Sequence, residues 1–252
     1  MDKEKLFSEW KKEESIAHIK GWDFSHIEGR FFEDTDFPFD YRGEIKKHLR
    51  PNMKLLDIDT GGGEFLLSLA HVAENTAATE GFSLNASLCR QTLLPLGIDF
   101  KETTAKSLPF ADESFDIVIN RHGDLCAKEF ARVLKKGGTF ITQQVGADND
   151  RELVKLLLGD IPLPFPNQHL DLVEKDFEES GFEIISSAEC YKSIKFFDIG
   201  ALVWFARIIE WEFCGFSVDK CLDALISAQK SCEKDGFVEG KTHRFFLVAK
   251  KK

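Results

Sequence analysis

The residues with the most chemical promise come in the order aspartate, glycine turn, glutamate. A short apolar strand ends in Asp57, Gly61-Gly62-Gly63 makes a turn, and a helical pattern opens at Glu64. Strand, glycine turn and helix in that order bring backbone N–H groups and a helix N-terminus toward a ligand, an arrangement that suits nucleotide-type molecules. A dinucleotide fingerprint asks for a third glycine three residues after the second, and Leu66 stands there. A P-loop asks for Gly-Lys-Ser/Thr, whereas Gly63-Glu64-Phe65 puts a carboxylate where phosphate charge would lie. The turn is therefore expected to serve a ligand whose recognised part carries no phosphate. Farther on, Asn120, Arg121, His122 and Gly123 follow an apolar run, and His122 has the chemistry of a general base near neutral pH. His169, His243, Tyr41 and Glu210 are weaker candidates for the same task.

The elements that must hold these residues are legible from periodicity. Strands are expected at Lys54 to Ile58, Thr76 to Thr79, Ile98 to Glu102, Phe115 to Asn120 and Thr139 to Gln144. Helices are expected between them at Glu64 to Val72, Ala86 to Leu94 and Lys128 to Leu134, the last stopping at Gly137-Gly138. Strands alternating with helices imply a doubly wound α/β fold, a mostly parallel sheet with helices on both faces. Beyond it the pattern gives helix Arg151 to Leu158, a proline-rich loop Ile161 to Pro166, helix Asp171 to Ser180 and a sixth strand Phe182 to Glu189. Two more helices, Ile199 to Trp211 and Val218 to Glu233, precede a seventh and last strand, Arg244 to Ala249. Residues 1–50 read as an aromatic, partly helical cap, 51–252 as the main domain, and 198–236 as a helical insertion before the last strand. Trp22, Phe24, Phe165, Phe196, Phe197, Trp204 and Trp211 are candidates for an aromatic lid, although Ile199 to Trp211 also fits an amphipathic helix that simply seals the core.

The stretch Leu55-Leu56-Asp57-Ile58-Asp59-Thr60-Gly61-Gly62-Gly63 resembles motif I of class I S-adenosylmethionine-dependent methyltransferases. Leu108-Pro109-Phe110 with Asp112-Glu113-Ser114-Phe115-Asp116-Ile117-Val118, and Glu129 to Gly138, are similar to the loop, strand and helix of the branch called methyltransferase type 11. The resemblance covers about Leu55 to Gln144. It implies a Rossmann-like, seven-stranded sheet with an antiparallel last strand, S-adenosylmethionine as cofactor, and in-line methyl transfer to a small molecule. It also implies a cofactor site at Asp57, Asp59, Thr60, Gly61, Gly63, Glu80, Gly81, Phe82, Thr104, Ala105, Lys106 and Asn120. In it Glu80 accepts from the ribose hydroxyls, Asp57 meets the ammonium and Phe82 lies near the adenine. Two residues depart from the family's pattern: Asp59 stands where glycine is usual, and Thr104 where aspartate often is. Readings with the same fold are an RNA methyltransferase and a non-catalytic cofactor-binding protein.

Charge and cysteine usage narrow the partners. Lysine plus arginine number 33 against 43 aspartate plus glutamate, a net charge of −10, so the summed field repels polyanions and no nucleic-acid partner is expected. The six cysteines show no C-x-x-C pair and no clustered Cys/His spacing, so no metal site is expected. Neither a secretory signal nor an apolar run long enough to span a bilayer is visible, which leads to the expectation of a cytoplasmic protein. Nothing in the sequence sets the oligomeric state.

Overall fold

The central strands Leu55–Ile58 and Thr76–Glu80 are buried throughout, and because successive side chains point to opposite faces, both faces of the sheet must be covered. The computed structural model describes residues 2–18 and 23–252; Trp22, one of the aromatic lid candidates, lies outside them. In chain order the elements are α1 (Lys3–Ile16), β1 (Phe31–Glu33), α2 (Tyr41–His48), β2 (Leu55–Ile58), α3 (Glu64–Leu67), β3 (Thr76–Glu80), α4 (Ser83–Thr92), β4 (Asp99–Glu102), β5 (Phe115–Arg121), α5 (Ala127–Val133) and β6 (Leu134–Val145). They continue with α6 (Arg151–Leu158), α7 (Leu170–Glu179), β7 (Phe182–Phe196), α8 (Ile199–Ile208), α9 (Leu222–Asp235) and β8 (Val238–Lys251).

The chain divides into two compact units. One comprises residues 38–146, 167–190 and 244–252. Its sheet has the order β7-β8-β6-β5-β2-β3-β4. The pairs β2·β3, β2·β5, β3·β4 and β5·β6 are parallel, whereas β8 runs antiparallel to β6. Leu56, Ile58, Val118, Phe140, Phe245 and Leu247 point to one face, where Phe130 of α5 and Phe177 of α7 cover them. Leu55, Ile117, Ile119, Ile141, Phe246 and Val248 point to the other, under Tyr41 and Ile45 of α2, Leu66 of α3, and Ala86 and Cys89 of α4. The doubly wound, mostly parallel α/β sheet with helices on both faces is therefore as the sequence predicts.

The other unit comprises residues 1–37, 147–166 and 191–243. Its core joins Trp10, Ile27, Leu153, Leu157, Phe196, Trp204, Phe205, Phe213 and Leu225. Nine of the ten α8 residues are buried, Arg207 being the exception, which is why that stretch has too few polar positions for a surface helix. Trp204 and Phe196 are core residues, while Phe165, Phe197 and Trp211 remain partly exposed. Arg30 holds this unit's N-terminal segment by two bonds to Asp198, at 2.9 and 2.6 Å, and an ion pair with Glu13 at 2.9 Å.

Several element boundaries differ from the periodicity. An eighth strand, β1, pairs antiparallel with β7 through Phe31↔Phe196; three residues are too few to show a period. Helix α3 stops at Leu67 instead of Val72, because the Ser68 hydroxyl bonds back to the Phe65 carbonyl and Ala70 turns to φ +52°. Strand β6 starts at Leu134, so Gly137-Gly138 lies inside the strand. A Cβ at Gly138 would come within 2.8 Å of the Lys135 carbonyl oxygen, a close approach that only glycine permits. The residues of the type 11-like motif after β4 have a structural task. Arg132 donates to Glu129, Asp112 and the Phe110 and Leu108 carbonyls, while Glu129 accepts from the Leu108 N–H, so one guanidinium fixes the whole turn.

Candidate functional site

Chain order reverses between β2 and β5: from β2 the sheet grows through β3 and β4 on one side and β5 and β6 on the other. In open α/β sheets the crevice at the carboxyl ends of such strands is where ligands bind. Asp57, the glycine turn, Glu80 and Asn120 all come to this edge.

Asp57 is 4% exposed at the end of β2 and accepts a 2.6 Å bond from the Thr60 hydroxyl. Burial pushes its carboxyl up to about 7; Asp59 and Glu80 add to the rise, while the Thr60 bond and Arg121 pull the other way. Asp59 has φ +56°, the left-handed backbone that glycine normally supplies. Its Oδ2 accepts from the Asp124 N–H at 3.0 Å, and a Cβ at Gly123 would lie 2.6 Å from that oxygen. The side chain at 59 is thus accommodated by the missing one at 123. Burial, then Glu80, raises the Asp59 carboxyl to about 6.

Glu80 is 6% exposed and grips the turn from β3. One carboxylate oxygen accepts from the Gly61 N–H at 2.8 Å and the other from the Phe82 N–H at 2.7 Å. Each oxygen can accept a second donor. Gly61 has φ +64°, and nothing lies within 4 Å of where its Cβ would be, so the turn has an open side there. Gly63, at φ +86°, is closed by contrast: its Cβ would stand 2.9 Å from Leu93. The buried Cys89 thiol donates to the Gly61 carbonyl at 3.0 Å and is raised by burial to about 12, which makes it a positioning group rather than a nucleophile.

The remaining predicted residues lie around this centre. Gly81 packs against Thr104, whose methyl would be 3.1 Å from a Cβ at 81. Thr104 and Lys106 are exposed and Ala105 is buried. Phe82 is 59% exposed, so it is no core residue. Asn120 is fully buried, donates to the Ile58 carbonyl at 3.0 Å and accepts from Gln144 at 2.5 Å, which locks the end of β5 to β2 and β6. Its carbonyl accepts from the buried Tyr41 hydroxyl at 3.2 Å.

His122 lies two residues on, just past the end of β5, at φ +58°, with its N–H on the Gln143 carbonyl at 3.0 Å. His122 is exposed at this edge. Loss of hydration against the protein, and then the charges of Arg244 and Arg121, lower the imidazole to about 3, so it is neutral at pH 7 and only a weak base. The ring lies 3.4 Å from the Gln143 amide nitrogen. Sequence reasoning missed the supports: Gln144 and Thr142, polar residues in the interior of an apolar strand, and the Tyr41–Phe65 stack at 5.2 Å. Two glutamines at the carboxyl end of a central strand were the available signal.

Residues 56–142 match the family model described as a methyltransferase domain. A phthiotriol/phenolphthiotriol dimycocerosates methyltransferase of Mycobacterium tuberculosis is 34% identical over 100 residues, 36% of each chain. The ubiquinone/menaquinone biosynthesis C-methyltransferase UbiE of Haemophilus ducreyi is 31% identical over 107 residues, 37% of this chain and 41% of that one. The chain thus spans well under half the length of these curated relatives. Among solved structures, YcgJ of Bacillus subtilis superposes with a TM-score of 0.57 at 20% identity, covering 84% of this chain and 98% of that one. The [4+2]-cyclase SpnF gives 0.50 at 18% identity, with 83% and 79% covered. At those identities the structural likenesses speak for the fold.

Proposed function

We propose that this chain, whose central segment is a methyltransferase domain of the class I, S-adenosylmethionine-dependent kind, transfers a methyl group from that cofactor to a small molecule. The observation that carries the reading is the pairing of an open-sided glycine turn with buried carboxylates, Asp57 and Glu80, at the reversal point of the sheet. These residues fit the cofactor. Its ammonium and sulfonium are cationic and its ribose offers two hydroxyl donors, and the acceptor oxygens of Asp57, Asp59 and Glu80 match both. Gly61 leaves the backbone open to close approach. Gly81, Phe82, Thr104, Ala105 and Lys106 are the residues we assign to the adenine side.

Held by Asp57, Glu80 and the glycine turn, the cofactor would supply an electrophilic methyl group for in-line transfer to a nucleophilic acceptor atom. The chain's own tasks are to hold the turn, align the acceptor and keep water out. Thr60, Cys89 and Asn120 hold the turn through the bonds given above. Where the acceptor atom carries a proton, His122 is the group we assign to receive it, as a base weakened in the free protein by Arg244 and Arg121. The enzymatic activity, the small-molecule acceptor and the assignment of segments 1–50 and 198–236 as cap and insertion belong to this proposal. A net charge of −10 disfavours an RNA acceptor. Among the described residues no helix is long and apolar enough to cross a membrane.

A pH titration tests the cofactor assignment. A cation beside Asp57 and Asp59 favours their ionised forms, so binding must release protons where the free groups titrate, around pH 6 to 7. Affinity for S-adenosylhomocysteine should rise about tenfold from pH 5.5 to pH 8, with buffer-dependent heats in calorimetry. Melting temperature is the poorer readout, because the signs oppose. Asp57 and Asp59, raised on folding, contribute stability that is lost as pH rises through their folded values. His122, lowered on folding, contributes stability that is lost as pH falls below its unfolded value. Affinity that is flat across the range would remove Asp57 and Asp59 from the ligand site.

A further inference from the structure

Charge is not spread evenly along the carboxyl edge of this sheet. The acids Asp57, Asp59 and Glu80 sit on β2, β3 and the turn between them. Arg121 ends β5, and Arg244 of β8 stands opposite Val145, the last residue of β6. A chain with ten more acids than bases still puts two guanidiniums on this edge, Arg121 on the strand next to β2, where its charge reaches Asp57, and Arg244 farther along, with His122 in the field of both.

The two are not equivalent. Arg244 is engaged by other residues. Arg121 is exposed and, among the described residues, has no carboxylate within ion-pair distance. Its guanidinium lies over the Phe65 ring, 4.6 Å from the centroid, and that ring is stacked on buried Tyr41 and also approached by Arg42 at 5.2 Å. A cation–π contact restrains the plane of a guanidinium while leaving its N–H edge free to donate. A planar fork of donors, pre-oriented on a supported aromatic ring and without an anion, matches the two oxygens of a carboxylate.

We propose that Arg121 is the specificity-determining anchor for a carboxylate on the methyl acceptor, so that the substrate class is small carboxylic acids, docked with the reacting atom beside His122. This rests on the methyltransferase reading for the neighbour in the acidic turn. The division of charge along the edge supports the acceptor as the source of that carboxylate, since the ends of β2 and β3 suit the cationic groups of the cofactor. An anion on Arg121 also offsets part of the positive field at His122, which returns basicity to the imidazole when acceptor is present.

The test uses the full chain saturated with S-adenosylhomocysteine, titrated with benzoate and with its neutral isostere benzamide. The arginine Nε–H signals are followed by NMR, with that of Arg121 identified by its loss in Arg121→Gln. Benzoate is expected to shift the Arg121 signal saturably and benzamide to leave it in place, while at pH 8, where Asp57 is ionised, Arg121→Gln changes affinity for S-adenosylhomocysteine less than about threefold. Arg121→Lys, which keeps the charge without the fork, should weaken benzoate at least threefold. No saturable benzoate shift, or equal shifts with benzamide, overturns the proposal. So does a tenfold loss of S-adenosylhomocysteine affinity in Arg121→Gln with no loss for the decarboxylated analogue, which would assign the arginine to the cofactor's own carboxylate. If the unmodified chain binds no S-adenosylhomocysteine, the methyltransferase reading fails separately, and the benzoate shift on the ligand-free chain still decides the role of Arg121.

Discussion

Glu80→Ala is expected to lower affinity for S-adenosylhomocysteine by at least about thirtyfold and to cost about 2 kcal/mol of folding stability. Two separate losses combine. In the free protein the carboxylate holds the Gly61 and Phe82 N–H groups at 2.8 and 2.7 Å, and both amides lose their partner when the side chain is truncated. In the complex the same oxygens are assigned to the ribose hydroxyls, a charge-assisted contact worth about 1.5–3 kcal/mol per bond before water replaces it. Glu80→Gln should be nearly as damaging to binding, because its amide would turn one NH2 toward a backbone donor. Calorimetry and thermal unfolding on both variants separate the two losses. Unchanged affinity in either would remove Glu80 from the ligand site and leave it as the clamp of the turn alone.

Gly61→Ala and Gly63→Ala should fail in different ways. Both positions have positive φ, so either alanine carries a backbone penalty of about 1–2 kcal/mol. At Gly61 the new methyl enters open space, so the fold should tolerate it, but that space is the assigned approach of the cofactor. Affinity should fall tenfold or more with only a modest drop in melting temperature. At Gly63 the methyl meets Leu93 at 2.9 Å in a fully packed corner, so that variant should lose several further degrees of melting temperature. Gly61→Ala binding as tightly as the unmodified chain would mean that the ligand approaches from another side.

What the sequence could and could not reveal follows from the range of the interactions. Periodicity is local, so the buried central strands at Leu55–Ile58 and Phe115–Arg121 were legible to within a residue or two. The short β1 and the early stop of α3 depend on a partner strand and on one serine hydroxyl, and carry no period. The turn was legible because a left-handed backbone and a close approach restrict residue type at Gly61 and Gly63. Asp59 broke that rule, and its compensation at Gly123 is 64 residues away in sequence. Arg121 lay in the right place, but the face of Phe65 that orients it could not be read from spacing. Glu129 and Arg132 carried the family resemblance as strongly as Glu80 did, yet their bonds build a turn.

The most direct measurement follows label from methyl-tritiated S-adenosylmethionine into a fractionated metabolite extract, with the unmodified chain and Glu80→Ala side by side. The expected result is label in a small, acid-extractable molecule, dependent on protein and lost in the variant. Binding of the cofactor without label in any small-molecule fraction, or label recovered in RNA, would contradict the assignment of this chain as a small-molecule methyltransferase.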